Sequence, residues 1–479
     1  MKNNFSSLIA LFLGILMLTS CLKSKDDEVT YYYDTAITSF SVGTLKRYLH
    51  TISSTGQDSV YQATINCSTY KFNIDQYNCV IYNPDSLPMG VDASKVLTTI
   101  TTLNSGVVLV NLKTKDKTKD SLIYYSSADS LDFTEPLEMR VYNNAGTAYR
   151  SYRVSVNVHQ ENGSVFNWTQ VAENDQLVAS MKGMRALVYD GKLWLMGNDG
   201  SGCRLYVSDM GNALSWKQVS QDVYAADAYK SFALCLGLPM FVSNGNIYQF
   251  VKNGDQYESQ TIVEPNVTKL LGGTKKQFFG YSLDGKLMAC EAFGNSWKDD
   301  AFDDSAEWLP TEDVNLVALS SKNNSQDTKL ILVGNRNSTK YPADENAVVW
   351  SKVEENAEYS VQMPWAFYSK CESFKHLLPR LNNLQVVRYG NSMLAIGGDA
   401  INGNAKAFSQ FYKSEDEGIT WQNDTIYKFP KTFISSNSVF TMTCDENHFL
   451  WILAGESGQV WKGRLNEMGW KKEQGAFEN

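Results

Sequence analysis

The arginines beyond residue 165, namely Arg185, Arg204, Arg336, Arg380, Arg388 and Arg464, are the side chains with which this chain could hold a carboxylate. A planar guanidinium fork grips an anion through two parallel hydrogen bonds. Hydrolysis of an acidic glycoside would need several of them beside a Tyr/Glu nucleophile pair and an acid, so that charge is stabilised where it develops. Arg185 and Arg388 fall on strands expected to line the middle of a repeated β-architecture and are the two expected to face a central channel. The histidines, His50, His159, His376 and His448, are dispersed, with neither HExxH spacing nor a serine nucleophile motif, and read as surface or turn residues. Asp299, Asp300, Asp303, Asp304 and Glu307 offer oxygens to calcium but lack EF-hand spacing, and read as a solvated loop. No catalytic residue, metal site or cofactor is assigned.

A second chemistry is suggested by the segment Met363 to Asn383, which is longer than a connection between neighbouring sheets needs and carries Trp365, Phe367 and Tyr368. Long loops on rigid scaffolds often bind, and aromatic faces stack on sugar rings or anchor protein partners. The competing reading is that these rings fill the gap between two sheets. Trp365, Phe367, Tyr368, Arg185 and Arg388 are therefore the ligand-binding candidates.

Composition excludes one class of partner. With 43 Lys+Arg against 52 Asp+Glu and a net charge of −9, the chain lacks the global basic surplus that phosphate contacts demand, so no nucleic acid is expected. Lys2 followed by the apolar run Leu8 to Leu18 has signal-peptide character, and Leu18-Thr19-Ser20-Cys21 resembles the lipobox of bacterial lipoproteins. The resemblance implies a signal peptide over 1–20, lipidation of Cys21 and attachment to the outer membrane. Ser24-Lys25-Asp26-Asp27-Glu28, within an acidic linker over 21–35, resembles the export tag of surface lipoproteins, which favours display at the cell surface over a periplasm-facing position; a plain solvated linker would read the same way. Of the other cysteines, Cys235, Cys290 and Cys444 sit in apolar strand-like runs and read as small buried hydrophobes, while Cys67 and Cys79 could be bonded or free. No zinc-like spacing occurs.

Stepping along the chain, residues 36–160 show short alternating strands and polar turns, predicting an all-β sandwich. Its clearest part is a hairpin, Leu137 to Tyr142 and Tyr149 to Val158 around Asn143-Asn144-Ala145-Gly146. Asp132-Phe133-Thr134-Glu135-Pro136 with Tyr152 and Val154 resembles the Ig-like modules near the N-terminus of many bacterial surface lipoproteins, where such a module is a spacer. Over 165–479, outer-strand markers recur at Trp168, Trp216, Trp297, Trp421 and Trp470, with Tyr257 and Tyr359 filling the gaps, at intervals of roughly 40 to 60 residues. That period, together with near absence of helix signals, predicts a six-bladed β-propeller. Six full blades leave the Trp168 strand over, and it is expected on the outer edge of the last blade beside a strand at Trp470, shielding that edge. Second strands end in glycine, as in Trp194-Leu195-Met196-Gly197, Ile331-Leu332-Val333-Gly334, Leu394-Ala395-Ile396-Gly397-Gly398 and Ile452-Leu453-Ala454-Gly455, which suits close approach of another segment.

Gly397-Gly398 resembles kelch repeats, and Ser414-x-Asp416-x-Gly418-x-Thr420-Trp421 resembles the Asp-box of sialidase-type propellers, with Ser208-Asp209-Met210-Gly211 as a degenerate second copy. The resemblance gives Ser414, Asp416, Gly418 and Trp421 a structural role, the Asp capping turn amides and the Trp packing between sheets. The Phe/Tyr-Arg-Ile-Pro motif of sialidase catalytic domains is missing; Gly183-Met184-Arg185-Ala186 stands in its nearest place. In domain order the chain is similar to a family of bacterial surface lipoproteins grouped as a domain of unknown function. The expected function is a lipid-anchored, non-catalytic propeller that binds a glycan or a protein. The alternatives are a sialidase-like propeller glycoside hydrolase and a structural subunit of a surface complex.

Overall fold

The computed structural model describes residues 30–52, 57–112, 121–291, 296–322, 324, 326–355, 363–368 and 376–470. The expected signal peptide, Cys21, the export-tag stretch, Tyr359 and Cys371 lie outside them. The fold is all-β: among the described residues the one α-helix is Gln176–Ser180, capped by the Asp175 carboxylate accepting from Val178 N, and no helix is long and apolar enough to cross a membrane. The chain divides into two compact units, with the boundary between residues 161 and 162.

In the first unit a six-stranded sheet runs in the order Asn73–Asp75, Val80–Tyr82, Tyr149–Val154, Leu137–Tyr142, Val107–Asn111, Leu122–Tyr124. The expected hairpin forms its centre. Tyr149 pairs with Tyr142 and Val154 with Leu137, and the turn is held by Asn143, whose buried side-chain oxygen accepts from Thr147 N at 2.9 Å while Gly146 takes φ 68°. Tyr149–Val154 also pairs in parallel with Val80–Tyr82. Ile37–Val42 and Thr98–Thr102 form a separate antiparallel pair. Alternation, with a register shift between Ile37 and Ser39 that restores the facing, decides which side chains meet: Ile37, Phe40 and Val42 share one core with Ile81, Val108, Val110, Met139, Val141, Tyr152 and Val154. Cys67 and Cys79 are both free thiols, Cys67 buried in that core.

Among the described residues the second unit holds six four-stranded antiparallel sheets. Their first strands are Gly183–Tyr189, Ala233–Cys235, Val267–Gly273, Glu312–Ser320, Gln385–Tyr389 and Phe440–Cys444. From the second sheet onward each first strand neighbours that of the next sheet, and Phe440–Cys444 of the sixth lies against Gly183–Tyr189 of the first. The turn Ala228–Ser231 packs against strands of the first, second and third sheets, so the cycle of neighbours closes. Hydrogen bonds stitch it: Ala186 N donates to Thr441 Oγ1 at 2.9 Å, Leu270 N to Ser231 Oγ at 2.8 Å, and Asn383 Nδ2 to the Phe440 carbonyl at 2.8 Å.

The surplus strand Phe166–Ala172 is the outermost strand of the sixth sheet, as its edge position required. Its partner differs from the expected one. It pairs with Val460–Leu465, and Trp470 follows a 3-10 turn over Asn466–Gly469 instead of starting a strand. The second-strand glycines have a shared cause. A Cβ at Gly197 would stand 2.2 Å from Met181 Sδ, at Gly397 2.3 Å from Leu381 Cβ, at Gly334 2.9 Å from Pro310 Cβ and at Gly455 2.5 Å from Val439 Cγ1. Each obstructing residue lies on the segment leading into the first strand of the same sheet, so glycine there leaves room for the chain to pass across.

Candidate functional site

The structure separates the sequence-derived candidates. Trp365 is corrected: it is wholly buried, its Nε1 donating to Asp300 Oδ2 at 2.8 Å, and it packs edge-on to Phe279. It stands immediately before the fourth strand of the fourth sheet, Ala366–Phe367, just as Trp216, Trp297 and Trp421 stand immediately before Lys217–Gln218, Lys298–Asp299 and Gln422–Asp424. Trp365 is thus the outer-strand tryptophan that spacing had assigned to Tyr359. Phe367 is half-buried and stacks on Trp308, and Tyr368 is half-buried with its backbone N–H bonded to the Val349 carbonyl. None of the three is a free platform, because each fills an inter-sheet gap.

The acidic stretch is likewise engaged. Asp300 accepts from Lys352 Nζ at 2.7 Å, Lys352 being 2 % exposed, and Asp303 accepts from Phe367 N at 3.0 Å. Glu307 accepts from Tyr341 OH at 2.7 Å. Among the described residues no group of three or more His, Cys, Asp or Glu side chains could hold a metal ion.

In the Asp-box, Asp416 Oδ1 accepts from Thr420 N at 2.9 Å and Oδ2 from Thr420 Oγ1 at 2.6 Å, while Ser414 Oγ accepts from Gly418 N at 2.9 Å. Gly418 takes φ +93°, and Trp421 is buried against Ile331 and Val349 of the neighbouring sheet. In the degenerate copy Ser208 Oγ still accepts from Ser215 N at 2.8 Å, but Asp209 points outward to Lys192.

Arg185 and Arg388 part company. Arg388 is exposed, bonded to the Gly390 carbonyl at 2.9 Å, and does not line the cavity that holds Arg185. The other arginines are engaged too: Arg336 pairs with Asp344 at 2.7 Å between the rings of Trp308 and Tyr341, Arg380 donates to the carbonyls of Tyr341 and Arg336, and Arg204 pairs with Asp199. The cluster of arginines that a sialidase needs is therefore not assembled.

What the fold brings together is a cavity of about 430 Å³ ringed by the inner strands and their leading segments. Arg185 comes from the first sheet, Tyr229 and Lys230 from the turn Ala228–Ser231, Lys269 from the third sheet, Glu312 and Asp313 from the fourth, and Asn382, Asn383 and Gln385 from the start of the fifth. Arg185 is fixed across the opening, donating to the Val314 carbonyl at 3.2 Å and to Asn315 Oδ1 at 3.3 Å. Asp313 occupies φ 47° where the register slips from Glu312 opposite Asn335 to Asn315 opposite Val333, a bulge that re-aims its side chain. Glu312 accepts from Ser338 N at 3.1 Å and Asp313 from Asn335 Nδ2 at 3.1 Å. Loss of solvent, with Arg185 nearby, holds the Lys269 ammonium down to about 8. Burial raises the Asp313 carboxyl and lowers the Arg185 guanidinium.

The sequence reading missed Lys230, Lys269, Glu312 and Asp313. A faint signal was present: Lys269 is the lone charge in the apolar run Val267-Thr268-Lys269-Leu270-Leu271-Gly272-Gly273, which a first strand beside a channel tolerates and a closed core does not.

Comparison with known proteins agrees with this architecture. Residues 162–473 match the DUF6242 β-propeller domain, and residues 40–156 match the N-terminal domain of the same domain of unknown function. The chain belongs to the DUF6242 family. No curated protein matches it. Similar solved structures include a Trichoderma reesei carbohydrate-active enzyme of family AA12 in its calcium form, with 12 % identity, 63 % of this chain and 95 % of that chain covered, and TM-score 0.34. The β-propeller domain of Myceliophteria thermophila Cps50 (Swd1) has 9 % identity, 62 % and 99 % coverage and TM-score 0.35. YCF48 from Cyanidioschyzon merolae has 11 % identity, 62 % and 98 % coverage and TM-score 0.32. The DUF6242 propeller is an all-β domain, and such a domain suggests a binding or scaffold module.

Proposed function

We propose that this DUF6242 protein is a lipid-anchored protein of the bacterial cell surface. In this reading an Ig-like sandwich carries a six-bladed propeller that binds a glycan or protein without transforming it. Six four-stranded sheets with first strands neighbouring in a closed cycle support the blade count, and Leu18-Thr19-Ser20-Cys21 supports the anchor. The observation that carries the binding reading is the axial cavity. An acidic chain gathers half-buried Arg185, half-buried Lys269 and exposed Lys230 there from separate elements, around one space where an anionic group would relieve their mutual repulsion.

The test has two arms. Cells expressing Cys21→Ser should release the protein from the membrane fraction, and retention would reject the anchor. The full chain in detergent should bind members of a glycan or peptide panel, with competition between ligands for one site; no binding would reject the module. Glycoside hydrolysis is the second reading, kept by one observation: Glu312 and Asp313 line the same cavity as Tyr229, with the Asp313 carboxyl raised by burial as a general acid would require. Release of reducing sugar from a bound glycan would favour it over simple binding.

A further inference from the structure

We infer that the axial cavity takes an acidic sugar residue, its carboxylate seated at Lys269 and Arg185 and its hydroxyls at Asn382 and Gln385. The inference rests on the cavity being the binding seat proposed above and adds the chemical class of its occupant.

Charge comes first. The ionisable residues lining the cavity are three cations, Arg185, Lys230 and Lys269, two carboxylates, Glu312 and Asp313, and Tyr229, so 3 − 2 leaves one positive charge with the tyrosine neutral. The two carboxylates already serve Ser338 and Asn335. Among the described residues Lys269 Nζ has no hydrogen-bond or ion-pair partner, whereas Arg185 is held in place by the Val314 carbonyl and Asn315. One fixed guanidinium beside one uncommitted ammonium is the arrangement that an incoming carboxylate completes.

Size and lining then choose among anions. About 430 Å³ lies within the range of small-ligand pockets and exceeds what a bare inorganic anion fills. The wall sets the amides of Asn382, Asn383 and Gln385 and the hydroxyls of Thr311, Ser338 and Ser438 among aliphatic side chains, a mixture that suits the hydroxyls and C–H faces of a sugar. Asn382 and Gln385 spend their NH₂ groups on the Asp399 carbonyl and on Asn383, which leaves each amide oxygen as an acceptor for a sugar hydroxyl. Tyr229 supplies the one aromatic surface. It is wedged against Gly183, where a Cβ would stand 2.5 Å from its ring, so its ring is held in place for stacking.

The test is calorimetric titration of the full chain in detergent with methyl β-glucuronide, N-acetylneuraminic acid, methyl β-glucoside and an acetylated peptide with a free C-terminal carboxylate, repeated with Lys269→Met and Lys269→Arg. An acidic sugar binding at least about tenfold tighter than the neutral glucoside, with the gain lost in Lys269→Met and kept in Lys269→Arg, is the expected result. Equal binding of acidic and neutral sugars, or indifference to Lys269→Met, overturns the inference and leaves the binding module standing. Binding of the peptide alone does the same and moves the occupant to a protein terminus. If none of the four probes binds and the glycan and peptide panel also fails, both readings fall. Thermal melts of the variants separate loss of binding from loss of folding, and an NMR signal from ¹³C-labelled Lys269 that shifts only with acidic sugar gives a second readout.

Discussion

The indole of Trp168 donates to the carbonyl of Lys428 at 2.7 Å, a bond that spans 260 residues of chain. Trp168 belongs to the outermost strand of the sixth sheet, and Lys428 follows the last strand of the fifth. With Phe166 it packs among Tyr389, Phe411 and Tyr427, so the start of the propeller is locked into its last two sheets. The edge of Val460–Leu465 is thereby covered by a strand from the opposite end of the propeller sequence, which ties the two ends of the domain together. Trp168→Ala should cost about 2–3 kcal/mol, somewhat under the value for a fully buried tryptophan. Denaturant unfolding would check it; a change within 0.5 kcal/mol, about the size of an ordinary surface substitution, would mean the strand does not hold the ring.

Trp365→Ala should destabilise by about 3–5 kcal/mol, because a wholly buried indole is lost and Asp300 loses a donor beside its buried Lys352 partner. Ligand affinity, measured below the unfolding transition, should be unchanged. A binding defect with unaltered stability would reverse the structural assignment of this residue.

Lys269 should trade stability for binding. Its amine is held down to about 8, against 10.5 for the ordinary side chain. The unfolded chain therefore binds that proton more tightly, so the group costs stability below pH 8, and the cost fades as pH rises from about 8 towards 10.5. Lys269→Met should gain up to about 3 kcal/mol at pH 7 and less at pH 9.5. Binding of an acidic sugar to the wild type should weaken as pH passes 8, with Arg185, Lys230, Tyr229, Glu312 and Asp313 facing the same space. Unfolding curves and titrations at the two pH values check both statements, and parallel curves for wild type and variant would contradict them.

Asp416→Ala should cost about 1–2 kcal/mol, since Thr420 N loses its carboxylate acceptor in a half-buried turn. Gly418→Ala should cost at least as much. Its φ of +93° disfavours any side chain, and a Cβ would meet Val349 Cγ1 at 3.0 Å and Ile331 Cγ2 at 3.1 Å. Thermal melts of both variants, with sugar binding retained, would support a purely structural Asp-box.

The N-terminal unit should show an acid limb. Hydrogen bonds from Arg140 first, and also from Asn111 and Ser151, hold the Glu138 carboxyl down to about 2 against 4.5. This contribution is present above pH 4.5 and is lost as pH falls towards 2. Discounted for partial exposure it amounts to about 1–2 kcal/mol. Glu138→Gln should lower stability at pH 7 and flatten the loss between pH 4.5 and 2, as followed by acid titration of the fold.

By itself the sequence determined what local rules control. Period-two alternation and Asn/Gly turn chemistry were enough to place the hairpin around Asn143, although its second strand ends at Val154 and not at Val158, and the spacing of aromatic markers exposed the repeated sheets. The glycines ending the second strands announced that another segment must pass close by. Only the tertiary structure decided which aromatic marks the outer strand of the fourth sheet, because an irregular connection hides Trp365 from any fixed period. It also decided the site. Arg185, Lys230, Lys269 and Asp313 come from separate elements, and the bulge that turns Asp313 has no local sequence signature. Strand patterns are set by neighbours along the chain, whereas a cavity at the centre of a ring is set by which distant residues the closure brings face to face.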